Sequence, residues 1–166
     1  IIMSAKFYGG NLVKICEVGK PGKQQFGSGP YEYYFYETLH NEQITFDDLR
    51  SFTLYLYEKS EAATVSVQGV SEHLMNGDRV QVEDMPALVS VTGGVAKFLV
   101  SGTKQAHPHQ KGLFFLSNSN LYKVVKPWGH ELWINGQHPC YALKEVFVKA
   151  GTKTSLQYHN LKQETN

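Results

Sequence analysis

The fold prediction rests on the stretch Gly151-Thr-Lys-Thr-Ser-Leu-Gln157-Tyr-His159-Asn-Leu-Lys-Gln-Glu164-Thr-Asn166, which alternates between polar and apolar residues from Ser155 to His159. Alternation with a period of two is typical of a β-strand and places Gln157 and His159 on the same face. Glu164 follows five residues after His159, where a turn and a further strand would bring its carboxylate back to that face. An imidazole, an amide oxygen and a carboxylate are ligands suited to Mn, Fe, Ni, Co or Zn. The stretch therefore predicts a metal site made by Gln157, His159 and Glu164.

The spacing of this stretch resembles the metal motif of the cupins, in which a Gly is followed by five residues, His-x-His, three or four residues and a Glu. Gly151 is followed here by five residues, Gln157-Tyr-His159, four residues and Glu164, so that Gln157 stands in place of the first His. The earlier run Lys126-Pro-Trp-Gly-His-Glu131, together with Ser155-Leu-Gln-Tyr-His159, is similar to the cupin domain of type II phosphomannose isomerases. This resemblance covers about residues 122–166.

The resemblance has two departures that bear on the metal. Lys162 stands where that family usually has an Arg between its His and Glu, and the family's fourth ligand is a His from strands beyond Asn166. The chain also begins Ile1-Ile2-Met3, so we expect it to be a piece of a longer protein. We therefore expect a divalent metal ion (Zn, Mn, Fe, Ni or Co) in the complete protein, and leave open whether this chain alone retains it.

The resemblance implies an all-β fold, namely the cupin-type double-stranded β-helix (jelly-roll barrel), followed by the start of a second cupin unit. Residues 1–116 would form the first barrel, and residues 117–166 the first strands of a second, incomplete unit. The second cupin motif, laid from Gly77, would need Pro, Gly, His and Asn at four positions that hold Glu83, Met85, Leu88 and Thr92. We therefore expect the first barrel to have no metal ligands.

The composition supports a β-rich protein and excludes several classes of partner. The chain has 10 Tyr, 9 Phe and 15 Gly residues, which favour strands and turns. Its net charge of +1 gives no basic surface for nucleic acid, and no apolar run is long enough to cross a membrane. Cys16 and Cys140 match no paired spacing, so reduced cysteines in a cytoplasmic protein are expected, and a disulfide is the less favoured alternative.

Local patterns predict the individual elements. Alternation predicts a half-buried strand at Ser51–Glu58, and Thr45–Arg50 has the capping pattern of a short helical turn. Asn76-Gly77 and Asn135-Gly136 are typical of β-hairpin turns. Further strands are predicted near residues 12–18, 31–39, 62–68, 79–82, 88–91, 95–101, 112–116 and 141–148.

The resemblance also implies a function, the isomerisation of a sugar phosphate as in mannose-6-phosphate isomerase. A metal would polarise the sugar carbonyl, and a carboxylate or water would move a proton. Lys144 and Lys153 are candidates to neutralise the phosphate, although strand lysines are more often simply exposed. Glu131 and Glu145 are candidates for acid–base chemistry, and no residue is assigned as catalytic.

Two other interpretations of the sequence remain open. The chain would be a non-catalytic cupin that binds or senses a small molecule or carbohydrate, which the loss of ligands in the first barrel and the many tyrosines favour. It would otherwise be a β-rich domain unrelated to cupins. In the cupin interpretations we expect a small polar molecule such as a sugar phosphate as ligand, and a homodimer.

Overall fold

The computed structural model describes the backbone of residues 2–6, 12–17, 19–25, 31–107, 110–136 and 138–155, with side chains from residue 19 onward. These ranges contain no α-helix, and their one helical segment is a 3₁₀ turn at Asn118–Asn120. The strands are β1 (Ile2–Lys6), β2 (Leu12–Glu17), β3 (Gly22–Gln25), β4 (Tyr31–Glu37), β5 (Gln43–Ile44), β6 (Ser51–Lys59), β7 (Thr64–Val67), β8 (Arg79–Glu83), β9 (Val89–Thr92), β10 (Ala96–Thr103), β11 (Gly112–Leu116), β12 (Tyr122–Lys126), β13 (Gly129–Asn135) and β14 (Leu143–Val148). Every pairing between them is antiparallel. The predicted all-β class is thereby confirmed.

The chain divides into two compact units, residues 1–120 and residues 121–166. The first unit contains a six-stranded sheet in the order β11-β8-β6-β10-β4-β3, a three-stranded sheet in the order β5-β9-β7, and the pair β1-β2. The second unit contains a three-stranded sheet in the order β12-β13-β14. Residues 112–116, predicted as a strand, form β11 and belong to the six-stranded sheet of the first unit, because β11 pairs with β8.

The first unit is held together by apolar side chains from both of its larger sheets. Val100, Leu54 and Val80 face one another across β10, β6 and β8, and each is at most 1% exposed. They belong to a single hydrophobic cluster that also contains Val65 and Val89 of the three-stranded sheet. Burial of apolar surface between two sheets is the main stabilising contribution in such a sandwich. The first unit is therefore a barrel-like β-sandwich with an apolar interior.

The face of the six-stranded sheet that points away from this cluster is also buried in part, and it carries a polar row next to the buried Phe35 and Tyr55. Ser101, Thr53 and Gln81 face one another across β10, β6 and β8, and all three are buried. The Thr53 hydroxyl donates to Gln81 Oε1 at 2.6 Å, and the Gln81 amide donates to Glu83 Oε1 at 2.8 Å. The alternation predicted for Ser51–Glu58 is present, but the strand is not half-buried, because its polar side chains are hydrogen-bonded beneath the surface.

The predicted helical turn at Thr45–Arg50 is wrong. The described segment is a tight turn in which the Leu49 amide donates to the Phe46 carbonyl at 3.1 Å, and no helix follows. Asp48 does not cap a helix, because its carboxylate binds Lys23 Nζ at 2.8 Å and contacts the Tyr34 hydroxyl. Six residues give too few backbone hydrogen bonds to offset the cost of starting a helix.

A cluster of charged side chains surrounds the buried Tyr34. Its hydroxyl lies within hydrogen-bond distance of the carboxylates of Glu32 and Asp48, and Lys23 Nζ lies 3.7 Å from the ring centroid. Lys104 Nζ pairs with Glu32 at 2.9 Å. The Tyr34 hydrogen bond lowers the pKa of Glu32. Burial would raise the pKa of Asp48, but hydrogen bonds from Lys23 and Tyr34 outweigh it and lower that pKa.

The two predicted hairpin turns differ from the structure in what they connect. A turn is present at Asn76-Gly77, where Gly77 has a φ of 86°, but the next strand, β8, pairs with β6 and β11 rather than with β7. Asn135 ends β13, but β14 begins only at Leu143, so the connection is longer than two residues. Gly77 has positive φ, whereas Gly136 does not, so an Asn-Gly pair by itself fixes neither the turn nor the length of the loop nor the partner strand.

The second unit depends on a tight turn between β12 and β13. Lys126 pairs with Gly129, so Pro127 and Trp128 alone form the connection. Gly129 has a φ of 154°, and a Cβ at this position would lie 1.8 Å from the carbonyl oxygen of Phe147 on β14. A glycine is therefore required where the three strands meet.

Replacement of Tyr34 by Phe should lower the free energy of unfolding by about 1–3 kcal/mol at neutral pH, because the two carboxylates lose a hydrogen-bond donor. The pKa values of Glu32 and Asp48 are lowered by folding, so their stabilisation is present above their unfolded-state pKa values and is lost as the pH falls through the folded values. The loss should therefore shrink below about pH 4. Urea unfolding at a series of pH values measures it. Tyr57→Phe is the control, since the Tyr57 hydroxyl has no hydrogen-bond partner among the described residues. A Tyr34→Phe penalty that is independent of pH would contradict this account.

Replacement of Gly129 by Ala should destabilise the second unit by roughly 3 kcal/mol or more, because its methyl group would overlap the Phe147 carbonyl. Gly151→Ala is a matched control, because Gly151 also has positive φ (77°) but no atom lies within 4 Å of the position that its methyl group would take. The control should cost only about 1 kcal/mol. Hydrogen exchange of the β13 and β14 amides measures both variants, and equal effects would exclude the close approach as the cause.

Candidate functional site

The three predicted metal ligands, Gln157, His159 and Glu164, lie outside the described residues, so the prediction of a metal site there stays a prediction. The last described residue is Ser155, which is exposed and not in a strand. Gly151 lies in the predicted turn, where the Thr152 amide donates to the Lys149 carbonyl at 3.1 Å. Among the described residues, no group of three or more His, Cys, Asp or Glu side chains is placed to hold a metal ion.

The turn between β12 and β13 brings the first and last residues of the motif Lys126–Glu131 to one face of the sheet. Lys126 pairs with Gly129, and Val124 pairs with Glu131. Residues that pair directly in an antiparallel sheet share a face, and residues two apart on one strand do so as well. Lys126 and Glu131 therefore lie on the same face because the turn contains only two residues.

Glu131 is held by two neighbours on this face. The Trp133 indole N–H donates to its carboxylate at 3.0 Å, and Lys144 Nζ lies 3.6 Å from the same oxygen. Lys144 pairs with Trp133 in the sheet, and its ammonium lies 4.0 Å from the centroid of the indole ring. Tyr122 pairs with Trp133 from the other side, with ring centroids 5.7 Å apart at 87°. We call this surface the charged face and define it by Tyr122, Lys126, Glu131, Trp133 and Lys144.

The electrostatics of the charged face keep Glu131 ionised. The hydrogen bond from Trp133 lowers the pKa of Glu131, burial opposes this, and the charges of Lys144 and Lys126 lower it further. A carboxyl group with a lowered pKa is a poor proton donor at neutral pH. Glu131 is therefore suited to orient Lys144 rather than to act as a general acid. With two lysines against one carboxylate, the charged face has a net positive charge.

The other candidate residues are not brought to this face. Glu145 pairs with Leu132 and so lies on the opposite face from Glu131, which excludes the two carboxylates from acting as a pair. Lys153 is exposed in the irregular segment after β14. Trp128 is buried, and its carbonyl accepts hydrogen bonds from the Lys149 amide at 2.8 Å and the Thr152 hydroxyl at 3.1 Å. Its role in the described chain is to connect the two turns.

Sequence reasoning missed the two aromatic members of the charged face, Tyr122 and Trp133. Trp133 stands two residues after Glu131, a spacing that puts both on one face of a strand, so this part of the signal was present. The pairing of Tyr122 with Trp133 could not be predicted from the sequence, because it depends on the length of the turn, which sets the register of the two strands.

Among the described residues, no charged side chain belongs to the hydrophobic cluster of the first unit. Its hydrophobic cluster consists of aliphatic and aromatic side chains, with Tyr34 at its edge. No helical segment that the structure describes has the length and apolar character needed to cross a bilayer. The chain matches no protein-family model, no curated protein and no solved structure. The resemblance to cupins therefore rests on the motif residues alone.

Removal of the Lys144 charge by Lys144→Met should raise the pKa of Glu131, because the variant loses a positive neighbour 3.6 Å away. In the wild-type chain the Trp133–Glu131 hydrogen bond should persist as the pH falls below the usual carboxyl range, since a lowered pKa keeps the carboxylate ionised. The chemical shift of the Trp133 indole proton, followed by NMR during acid titration, reports the midpoint. Lys149→Met, at an exposed position outside the charged face, should leave the midpoint unchanged. An unchanged midpoint in Lys144→Met would rule out the coupling.

Proposed function

We propose that this chain is part of a metal-dependent cupin enzyme that isomerises a phosphorylated sugar, as mannose-6-phosphate isomerase does. One observation carries the proposal. The turn of the Lys126-Pro-Trp-Gly-His-Glu131 motif assembles a face on which Lys126, Lys144 and the ionised Glu131 lie together. This motif is also the part of the chain that resembles type II phosphomannose isomerases.

The charged face has the chemistry that a sugar phosphate requires. Lys126 and Lys144 would attract the phosphate, and Glu131 holds Lys144 over the Trp133 ring, which limits the positions that its ammonium can take. Tyr122 is 64% exposed and perpendicular to Trp133, so an apolar ring surface is accessible beside the charges. Such a surface suits a phosphorylated sugar, because the lysines attract the phosphate and an aromatic face packs against the C–H groups of the sugar.

The metal in this proposal would be a divalent ion held by Gln157, His159 and Glu164, and when bound it would polarise the carbonyl of the sugar. The contribution of the described residues is separate from it. They would hold the anionic end of the substrate, with Lys144 positioned between Glu131 and the Trp133 ring. A cytoplasmic location and the jelly-roll form of the fold are parts of the same proposal. The antiparallel β-sandwich of the first unit supports the jelly-roll form.

A second candidate is a cupin that binds a carbohydrate or small molecule without transforming it. The observation that favours it is the apolar interior of the first unit, in which residues such as Phe98 and Leu54 are fully buried. A barrel filled in this way has a structural role. The second unit would then bind its ligand through the Tyr122–Trp133 pair and the lysines alone.

The test is to offer mannose 6-phosphate to the whole chain loaded in turn with Zn, Mn, Fe, Ni or Co. We expect formation of the ketose phosphate with at least one metal, and loss of bound metal in His159→Ala by elemental analysis. Lys144→Ala should weaken binding of mannose 6-phosphate by about tenfold, because a charge-assisted contact is lost. Lys111→Ala, an equal change of charge at an exposed site of the first unit, should not.

The outcomes separate the two candidates. Binding that requires Lys144 without turnover would favour the non-catalytic cupin. Turnover that is lost in His159→Ala would support the isomerase. If neither the metals nor mannose 6-phosphate bind, or if Lys144→Ala binds as the wild-type chain does, the charged face is not the site.

A further inference from the structure

The sheet of the second unit has a second face, opposite the charged face, whose composition suits association with a copy of itself. The pairing places three residues in each of two rows across β12, β13 and β14. We call this surface the opposite face, and its two rows are Val125–His130–Phe147 and Lys123–Leu132–Glu145.

The first row of the opposite face is apolar and accessible. Val125 is 79% exposed and Phe147 is 51% exposed. The His130 ring stacks on the Phe147 ring, with centroids 5.1 Å apart and planes at 23°, so the phenyl group is held in one orientation. Exposed apolar side chains that are already fixed in place lose little conformational freedom when a partner covers them.

The second row of the opposite face is charged at its ends with opposite signs. Lys123 on β12 and Glu145 on β14 are both exposed, and Leu132 on β13 lies between them. Adjacent strands are about 4.8 Å apart, so the two charged positions are roughly 10 Å apart across the sheet. This row is complementary to the same row of a second copy that faces it with the sheet edges exchanged. The lysine of each copy then lies opposite the glutamate of the other.

We propose that two copies of this chain associate by stacking their opposite faces about a two-fold axis parallel to β13. That rotation exchanges the two edges of the sheet and preserves the strand direction. β12 of one copy then lies over β14 of the other, so that each Lys123 faces the second copy's Glu145, and each Val125 faces its Phe147. One row would then form two salt bridges, and the neighbouring row would form two apolar contacts. Sheets that pack face to face stand about 10 Å apart.

The charges select this orientation over the alternative. A two-fold axis perpendicular to the strands and passing over Leu132 would set each Lys123 against the second copy's Lys123, and each Glu145 against its Glu145. Like charges placed face to face oppose association, whereas opposite charges fix the register. A hetero-partner is less well supported, because the charge pattern of this face is already complementary to itself.

The expected affinity is modest. Three strands of about six residues give a patch of roughly 300 Å² in projection, which is small beside the ~800 Å² per partner of a standard interface. We therefore expect a dimer that dissociates in the micromolar range, and the measurement must cover concentrations on both sides of about 10 µM.

Sedimentation equilibrium of the whole chain tests the proposal with a charge exchange. Lys123→Glu and Glu145→Lys should each weaken the dimer by about tenfold or more, because each sets like charges opposite one another. The double variant with both substitutions should associate as the wild-type chain does, since it restores opposite pairs in reversed order. Lys111→Glu, which makes the same change of net charge at an exposed site of the first unit, should leave the dissociation constant unchanged.

Each result has a definite meaning. Weakening by both single variants and recovery in the double variant would support this interface, and recovery would also show that the substitutions do not unfold the unit. A wild-type chain that stays monomeric throughout the concentration range overturns the proposal. A dimer that tolerates Lys123→Glu and Glu145→Lys, or that the double variant fails to recover, overturns it as well, because association then occurs elsewhere.

Discussion

The alternation of side chains across the central strands is the constraint on which the first unit depends. In β6, β8 and β10 one set of alternate residues enters the apolar cluster, and the other set includes the buried polar row of Ser101, Thr53 and Gln81. A shift of register by one residue would exchange the sets and bury Gln81 among apolar side chains. Both faces therefore specify the same register, one by apolar burial and the other by hydrogen bonds such as that from Thr53 to Gln81.

The all-β class and most of the strands were predictable, because period-two alternation and turn residues are local signals. The error at Ser51–Glu58 has a physical cause, since alternation reports which residues share a face and not whether that face meets water. The strands β1, β3 and β5 were missed. β3 and β5 are only four and two residues long and lie in segments rich in turn signals. The partner of a strand, as at Asn76-Gly77, is a long-range property that a turn does not encode.

The candidate site was predictable only where its spacing was local. Lys126 and Glu131 belong to one motif, and a two-residue turn is enough to bring them to one face. Lys144 joins them from β14, and its contacts with Trp133 and Glu131 depend on a pairing that crosses a longer connection. Glu145 was the other acid–base candidate in the sequence, but it lies on the face opposite Glu131, because neighbours on a strand point to opposite faces. The sheet of the second unit thus has Lys126, Glu131 and Lys144 on one face and Lys123, Leu132 and Glu145 on the other.

The two-residue connection at Pro127 and Trp128 also bears on the order in which the chain acquires structure. A hairpin closed by so short a loop loses little chain entropy and forms in roughly 1–10 µs. The pairing of β4 with β10 joins Tyr34 to Val100 across most of the first unit. Strands that are far apart in the sequence must come together before the burial of apolar surface stabilises their pairing, so sheets of this kind fold slowly. During refolding of the whole chain, the β12–β13 hairpin should therefore form while the sandwich of the first unit is still assembling.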